Sequence, residues 1–218
     1  VAFNFPWTWD GRRALIQDAA RGAILSPIEM HGTTVTQDQL DALTAFLVAR
    51  SLARPAPTAI PPDQQPRTPE QQAAFQATLD RIATGRTVFF GKGQCATCHP
   101  APFFTDNQIR TNVLTPSAEF SFGSDPGVGF ISGNSAHSGQ FKTPSLHHFY
   151  PSGAPFMHNG TLGTASAVFR FYEKSLGFTL TSQERTGLDY WLVNCPRGPF
   201  ALVASTCFGN GAITAEQF

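Results

Sequence analysis

A C-x-x-C-H motif in the segment GKGQCATCHP, residues 91–100, is the clearest candidate for chemistry in this sequence. Two thiols at this spacing, Cys95 and Cys98, can add across the two vinyl groups of one haem, and His99 is then placed to bind the iron. A dithiol redox pair normally follows a strand, whereas the segment before Cys95 has a helical pattern. A zinc site would need two further ligands, and the other cysteines lie far along the chain. The motif therefore predicts one covalent haem c.

The second axial ligand of that haem is left open by the residues themselves. The candidates are Met157, His158, Tyr172, Met30 and His31. On chemistry alone Met157 leads, because Met/His ligation is the common electron-transfer arrangement. The ordinary role of a Met or Tyr beside a haem is packing, so each candidate also has a structural interpretation.

Cys195 and Cys207 flank a loop that contains Pro and Gly, and we predict a disulfide between them. Haem c is attached outside the cytoplasm, where disulfides persist, so both cysteine pairs indicate a periplasmic or secreted protein. The sequence begins at Val1 without Met or a signal peptide, which we interpret as a processed or trimmed product.

The composition is that of a globular chain with few charges. Of the 218 residues, 41% are hydrophobic and 14% are charged, and the 15 basic and 15 acidic residues balance. No basic stripe is available to neutralise phosphates, which argues against nucleic acid or a membrane surface as a partner. No apolar run approaches the roughly 20 residues that span a bilayer.

Capping boxes mark the starts of three helices: Thr36 with Gln39, Thr68 with Gln71, and Thr181 with Glu184. The second of these helices leads directly into the C-x-x-C-H motif. Weaker patterns predict helices at about 12–21 and 164–175. The fold class predicted is all-α: a loop-rich c-type cytochrome domain, residues 69–218, with a helical N-terminal extension, residues 1–53, and a Pro-rich linker, residues 54–68.

Several segments resemble, in their order along the chain, the C-terminal half of the di-haem cytochrome c peroxidase/MauG family. They are CATCHPAPFFTDN, FKTPSLHHFYPSGAPFMHNGTL, and AVFRFY followed by LTSQE. The opening WTWDGRRALIQDAARGAILSPIEM is similar to the W-D-G-R and P-x-E-M segment of the same family. The resemblance covers most of the chain, and it implies that residues 1–53 correspond to the region between the two haems.

The resemblance also bears on the axial ligand. It matches the Cys95–His99 motif to the C-terminal haem, which is six-coordinate and passes electrons. In the peroxidases a Met from the helix after an H-D-G segment, fourteen residues beyond its His, completes that haem, and MauG-type members have Tyr there. The segment HNG that begins at His158 matches H-D-G here. Fourteen residues after His158 lies Tyr172. The resemblance therefore favours His99/Tyr172 ligation, with a low reduction potential, and makes Met157 a wall residue.

Two residues of the N-terminal segment gain a role through the resemblance alone. Trp9 matches a Trp that couples the two haems, and Glu29 matches the acid/base glutamate over the peroxide-reactive haem. Ala19 stands where the family often has Gln. The backbone carbonyls of Gly153 and Pro155 match positions that help to bind calcium between the haems.

The sequence also departs from the family. His147 stands where Arg usually follows T-P-S-L, Asn159 replaces Asp, and there is no second C-x-x-C-H in the 218 residues. We expect an electron-transfer module of a peroxidase-like oxidoreductase, whose partner is a redox protein and whose second haem lies upstream or on another chain. The alternatives are a complete mono-haem carrier, with Met157 ligation, and a haem domain of a larger fusion. Alone, the chain would lack the peroxide-binding haem.

Overall fold

The structure is a computed structural model that describes residues 6–52, 66–111, 125–149, 153–196 and 206–207. Its helices are α1 (Ile16–Leu25), α2 (Gln37–Leu52), α3 (Pro69–Phe90), α4 (Val128–Ser132), α5 (Ala165–Leu176) and α6 (Ser182–Asn194). Two strands, β1 (Ile109–Thr111) and β2 (Gln140–Lys142), pair antiparallel with Arg110 opposite Phe141. The described chain is mostly helical, as predicted, and it also contains a small sheet that was not predicted. Every helix in these ranges is too short or too polar to cross a membrane.

The predicted capping boxes form at the starts of the helices. At α3 the Thr68 hydroxyl accepts a hydrogen bond from the Gln71 amide at 3.2 Å, and the Gln71 side chain accepts from the Thr68 amide at 3.2 Å. The same reciprocal pair opens α6, and a third opens α2. Each pair satisfies two amides that the first helical turn leaves without intrahelical partners.

The first helix begins later than predicted. α1 starts at Ile16 rather than near residue 12, because Trp7 and Arg13 exchange backbone hydrogen bonds at 2.6 and 3.3 Å. This bridge holds residues 8–12 in a turn and removes them from the helix. α5 starts at Ala165, one residue after the predicted position.

The chain divides into two compact units. Unit 1 comprises the described residues of 1–54, 107–113 and 123–144, and unit 2 comprises those of 55–106, 114–122 and 145–218. The division of the sequence at residues 53 and 69 stays a prediction, since most of the Pro-rich linker lies outside the described residues.

Unit 2 is built on the crossing of α3 and α6. A β-carbon on Gly85 would lie 2.0 Å from the carbonyl oxygen of Gly187, so the two helix backbones touch where both residues lack side chains. Beside this crossing Trp191 stacks on Phe89 with ring centroids 4.1 Å apart. The crossing fixes the end of α3, and with it the start of the C-x-x-C-H motif.

A disulfide between Cys195 and Cys207 confirms the predicted pairing. The Trp191 indole donates to the Cys207 carbonyl oxygen at 3.0 Å. The core around them is apolar and fully or nearly fully buried; it contains Ile82, Val88, Phe89, Phe104, Phe169, Leu180, Leu188, Trp191, Leu192, Cys195 and Cys207.

Unit 1 contains α1, α2, α4 and the β1–β2 sheet. Polar contacts join its first two helices: the Gln17 side chain donates to Asp41 at 3.1 Å, and Arg21 donates to Gln37 at 3.3 Å. Leu40, on α2, is buried.

Candidate haem-binding site

The C-x-x-C-H motif follows the end of α3 after a short connection, because α3 ends at Phe90 and the motif begins at Cys95. Gly93 makes this sharp exit possible, since a β-carbon there would lie 2.8 Å from the Val88 carbonyl oxygen and 3.2 Å from the Cys95 sulfur. Residues Cys95–Thr97 then form a short 3₁₀ turn, and the His99 amide donates to the Cys95 carbonyl oxygen at 2.9 Å. The turn keeps both thiols and the imidazole in one compact loop.

Neither motif thiol is part of a disulfide, and both are half-buried. Burial is the largest cause that raises the pKa of Cys95 to about 12, and the neighbouring Cys98 contributes in the same direction. A nucleophilic dithiol needs a lowered thiol pKa, so this site does not favour thiol–disulfide chemistry. The disulfide between Cys195 and Cys207 removes the other cysteines as zinc ligands. No group of three His, Cys, Asp or Glu side chains in the described ranges is arranged to hold a metal ion.

His99 is oriented by the backbone of Phe104. Its Nδ1 atom lies 3.0 Å from the Phe104 carbonyl oxygen. A carbonyl can only accept, so Nδ1 carries the proton and Nε2 keeps the lone pair that would bind iron. The same carbonyl accepts the Leu146 amide at 3.2 Å, and the Phe104 side chain is completely buried. A fixed acceptor of this kind is the usual support for a metal-binding imidazole.

Tyr172 and Met157 lie in one small apolar cluster. Both pack against the buried residues Leu162, Val168 and Phe171. Burial is the largest cause that raises the pKa of Tyr172 to about 12, and the Cys95 and Cys98 thiols contribute in the same direction. The two candidate axial ligands, Tyr172 and Met157, therefore belong to one cluster.

The site fits a covalently bound haem c. It has two neutral thiols on one turn, an imidazole whose proton is held at Nδ1, and an apolar cluster in the same unit that carries a phenol and a thioether. In a haem protein the thiols would become uncharged thioethers, so their contribution to the high pKa of Tyr172 would disappear. These features define a c-type haem site in a helical domain.

Trp9 and Glu29 lie in unit 1 rather than with the haem motif. Trp9 is 45% exposed, and its carbonyl oxygen accepts the Lys142 amide at 2.8 Å. Glu29 is exposed on the turn after α1, between Ile28, which is 87% exposed, and Met30, which is 66% exposed. Met30 and His31 belong to this same turn, so neither lies in the unit that carries Cys95.

Asp10 holds the turn that presents Trp9. Its carboxylate accepts hydrogen bonds from the Thr8 hydroxyl at 2.6 Å and from the Arg12 amide and side chain at 3.1 and 2.7 Å. Burial alone would raise the pKa of Asp10, but the bonds from Arg12 and Thr8 lower it overall. The W-D-G-R sequence is thus a self-contained turn held by an internal ion pair.

Two contributors to the site were missed by the sequence analysis. Phe104 was quoted in the F-T-D-N segment without a role, because an anchoring backbone carbonyl leaves no mark in residue type. The ion pair between Glu173 and Arg185, which joins α5 to α6, was missed as well; its carboxylate is buried and its guanidinium is partly exposed. The sequence signal that could have found this ion pair was the Glu that follows Tyr172 directly and the Arg in the first turn of the next helix.

Comparison with known proteins places this site in context. The chain is 30% identical to the methylamine utilization protein MauG of Methylorubrum extorquens over 235 residues, covering 93% of this chain and 64% of MauG. It is 28% identical to the cytochrome-c peroxidase IdrP2 of Denitromonas iodatirespirans over 152 residues, covering 56% of this chain and 41% of that protein. The chain therefore spans less than two thirds of the length of these relatives. No protein-family model matches it.

A solved structure shares the fold. The crystal structure of a MauG-like protein associated with microbial copper homeostasis has a TM-score of 0.57 and 16% identity, covering 87% of this chain and 71% of that one. At this level of identity the likeness shows a shared fold.

Proposed function

We propose that this chain is a c-type haem electron-transfer module of a MauG- or cytochrome c peroxidase-like oxidoreductase. It passes electrons between a donor and a second haem that the chain itself does not attach. Cys95 and Cys98 hold one haem, and His99 and Tyr172 are its axial ligands. The observation that carries the proposal is the motif turn itself, on which His99 Nδ1 lies 3.0 Å from the Phe104 carbonyl oxygen, next to the Cys95 and Cys98 thiols.

The residues of unit 2 prepare this site for electron transfer. When bound, the haem supplies one-electron redox chemistry at its iron. Phe104 holds the His99 proton at Nδ1, which leaves Nε2 as the donor atom. Tyr172 approaches from the apolar cluster and would bind as a phenolate, which favours the ferric state and a low potential. Met157, which packs against the same cluster, is the alternative ligand.

Trp9 and Glu29 have roles only toward the second haem. Trp9 would couple the two haems, and Glu29 would act as general acid/base where peroxide is bound. The exposure of Glu29 between Ile28 and Met30 supports this assignment, because an apolar turn that carries one carboxylate is suited to being covered by another domain. This part of the proposal depends on a partner domain or chain.

The location and the remaining partners follow from the same family. We propose a periplasmic or secreted protein, which agrees with covalent haem attachment and with the Cys195–Cys207 disulfide. A redox protein would exchange electrons with the His99 haem. Calcium, bound through the Gly153 and Pro155 carbonyls, is a further expectation.

Intact mass and haem stoichiometry of the natively purified holoprotein test the central proposal. We expect two haems per functional unit, on a longer chain or on a co-purifying subunit. A single haem on a chain close to 23.6 kDa, without a partner chain, would instead make the protein a mono-haem carrier. The acid/base role of Glu29 would then be wrong.

Spectra of ligand variants test the axial assignment separately. We expect Tyr172→Phe to change the optical and EPR spectra of the ferric protein, and Met157→Leu to leave them nearly unchanged. The opposite result, with loss of a Met–iron charge-transfer band in Met157→Leu, would assign Met157. Both variants keep an apolar side chain of similar size, so a large loss of stability is not expected.

A further inference from the structure

The end of α5 is fixed by a single buried carboxylate, that of Glu173. Its Oε1 atom accepts the Leu180 amide at 2.6 Å and Arg185 Nη2 at 2.8 Å, and its Oε2 atom accepts Arg185 Nε at 3.1 Å. The Glu173 side chain is 8% exposed. Its backbone carbonyl also accepts the amides of Gly177 and Phe178, which ends the helix. Both the side chain and the backbone of Glu173 therefore tie α5 to the start of α6.

This ion pair is bidentate and keeps both partners charged. Burial alone would raise the pKa of Glu173, but the Arg185 and Leu180 hydrogen bonds lower it overall. A planar guanidinium bound at two nitrogens fixes orientation as well as distance. Apolar packing, by contrast, resists separation but only weakly resists rotation of a helix about its own axis. The pair therefore adds a directional restraint on the rotation of α5 to the packing of its buried side chains Val168, Phe169 and Phe171.

Arg185 itself belongs to the rigid part of unit 2. It lies in the first turn of α6, and α6 is locked against α3 where Gly85 meets Gly187. The end of α3 leads, through Gly93, into Cys95 and His99. One continuous path of tight contacts thus runs from the haem motif through α3 and α6 to Glu173, the neighbour of Tyr172.

We propose that Glu173 and Arg185 are positioning residues for Tyr172, since they set the rotation of α5 that directs the phenol toward the haem motif. This inference rests on the proposed Tyr172 ligation. Adjacent residues on a helix project about 100° apart, so a small rotation of α5 moves the phenol away from the iron without disturbing the thioether attachment. The pair controls ligation and not haem retention.

Arg185→Leu in the ferric holoprotein tests the inference, read by the tyrosinate–iron bands of the resonance Raman spectrum and by EPR. We expect these bands to be lost from most molecules, with covalent haem per chain unchanged. Arg185→Lys should restore part of the signal, because it keeps the charge but not the bidentate geometry. The control is Lys92→Met, which breaks a more exposed ion pair to Glu184, also on α6, and leaves every hydrogen bond of Glu173 in place; its spectrum should match the wild type.

Three results would overturn the inference, and they are distinguishable. Wild-type bands in Arg185→Leu would show that the pair does not position Tyr172, while the proposed ligation stands. Equal loss in Lys92→Met would show that the effect is a general loosening of α6. If the Tyr172→Phe variant had the same spectrum as the wild type, both the proposed ligation and the inference would be overturned. Should Arg185→Leu fail to fold, Glu173→Gln, which leaves no buried charge, is judged by the same readouts.

Discussion

The two units of this protein differ in how far their apolar side chains are buried. Among the described residues, every buried hydrophobic side chain except Leu40 lies in unit 2. Most of the large hydrophobic side chains that remain exposed lie in unit 1; they are Trp9, Leu15, Leu25, Ile28, Met30, Phe46, Ile109, Phe130 and Ile131. Burial of apolar area is the main favourable contribution to folding, so unit 2 carries most of the stability.

This contrast matches the roles proposed for the two units. In the proposal, unit 2 would hold one haem by residues from the motif turn and α5, and such a site needs fixed distances. Unit 1 displays Trp9 and Glu29 among exposed apolar side chains, an arrangement that suits a surface covered by the second haem domain. The core therefore builds the electron-transfer site, while the exposed unit contributes the residues that would act across a domain boundary.

The strongest test of the contrast is Gly85→Ala at the crossing of α3 and α6. The added methyl carbon would lie 2.0 Å from the Gly187 carbonyl oxygen and 2.6 Å from the Trp191 β-carbon, so the helices must separate. Overpacking of this kind typically costs 1–3 kcal/mol, and two touching backbones place it at the upper end. We expect the free energy of unfolding of unit 2 to fall by about 3 kcal/mol, measured by denaturant titration.

Gly163→Ala is the matched control. It makes the same change in unit 2 at a residue with no atoms within 4 Å of the added carbon. Its stability should stay within about 0.5 kcal/mol of the wild type. If Gly85→Ala were equally harmless, the rigid path from α3 through α6 to Glu173 would not exist, and the positioning argument for Tyr172 would lose its base.

The sequence predicted well where helices begin, but it did not predict which segments pack together. Thr68, Thr181 and Thr36 act through residues three positions away, so their effect is visible in a single segment. The β1–β2 sheet was missed because each strand has only three residues, too few for an alternating pattern. The grouping of residues 107–113 and 123–144 with the N-terminal helices depends on long-range contacts, which no local pattern encodes.

The site shows the same limit. The disulfide and the order of the motifs were readable, because cysteine chemistry and spacing carry them. The Phe104 carbonyl and the Glu173–Arg185 pair were not, since their roles come from a backbone orientation and from burial of a charge. The φ of Phe104 is 50°, a left-handed value that a non-glycine residue rarely adopts and that residue type does not announce.

A second difference between the units lies in their response to pH. Burial lowers the pKa of Lys142, in unit 1, from 10.5 to about 8. Between these values the unfolded chain keeps a proton that the folded chain has lost, so stability rises with pH. A shift of this size corresponds to a gain on the order of 3 kcal/mol from pH 8 to pH 10.5. Hydrogen exchange of unit 1 peptides, corrected for the intrinsic pH dependence, would measure it.

In unit 2 the stability depends on pH at the acid end of the range, through the carboxyl group of Glu173. Its folded pKa is lowered below 4.5, so its contribution to stability is complete above that value and is lost as the pH falls through the folded pKa. Lys142→Met should remove the alkaline gain in unit 1, and Glu173→Gln should weaken the acid loss in unit 2. An alkaline gain that persists in Lys142→Met would have to come from another group.

The smallest effect is expected from removal of a helix-capping Thr, which can be tested once in each unit. Thr181→Ala removes the hydroxyl that accepts the Glu184 amide at 3.2 Å, and Thr36→Ala removes the one that accepts the Gln39 amide at 3.2 Å. Each loss should cost about 1 kcal/mol. Hydrogen exchange read separately for peptides of α6 and α2 should then speed up by roughly five-fold, in the mutated unit alone.

Because unit 2 has a shared core, we expect Thr181→Ala to speed exchange in α3 as well, whereas the effect of Thr36→Ala should stay local to α2. Equal spreading in both units would mean that unit 1 is as cooperative as unit 2, despite the exposure of its apolar side chains.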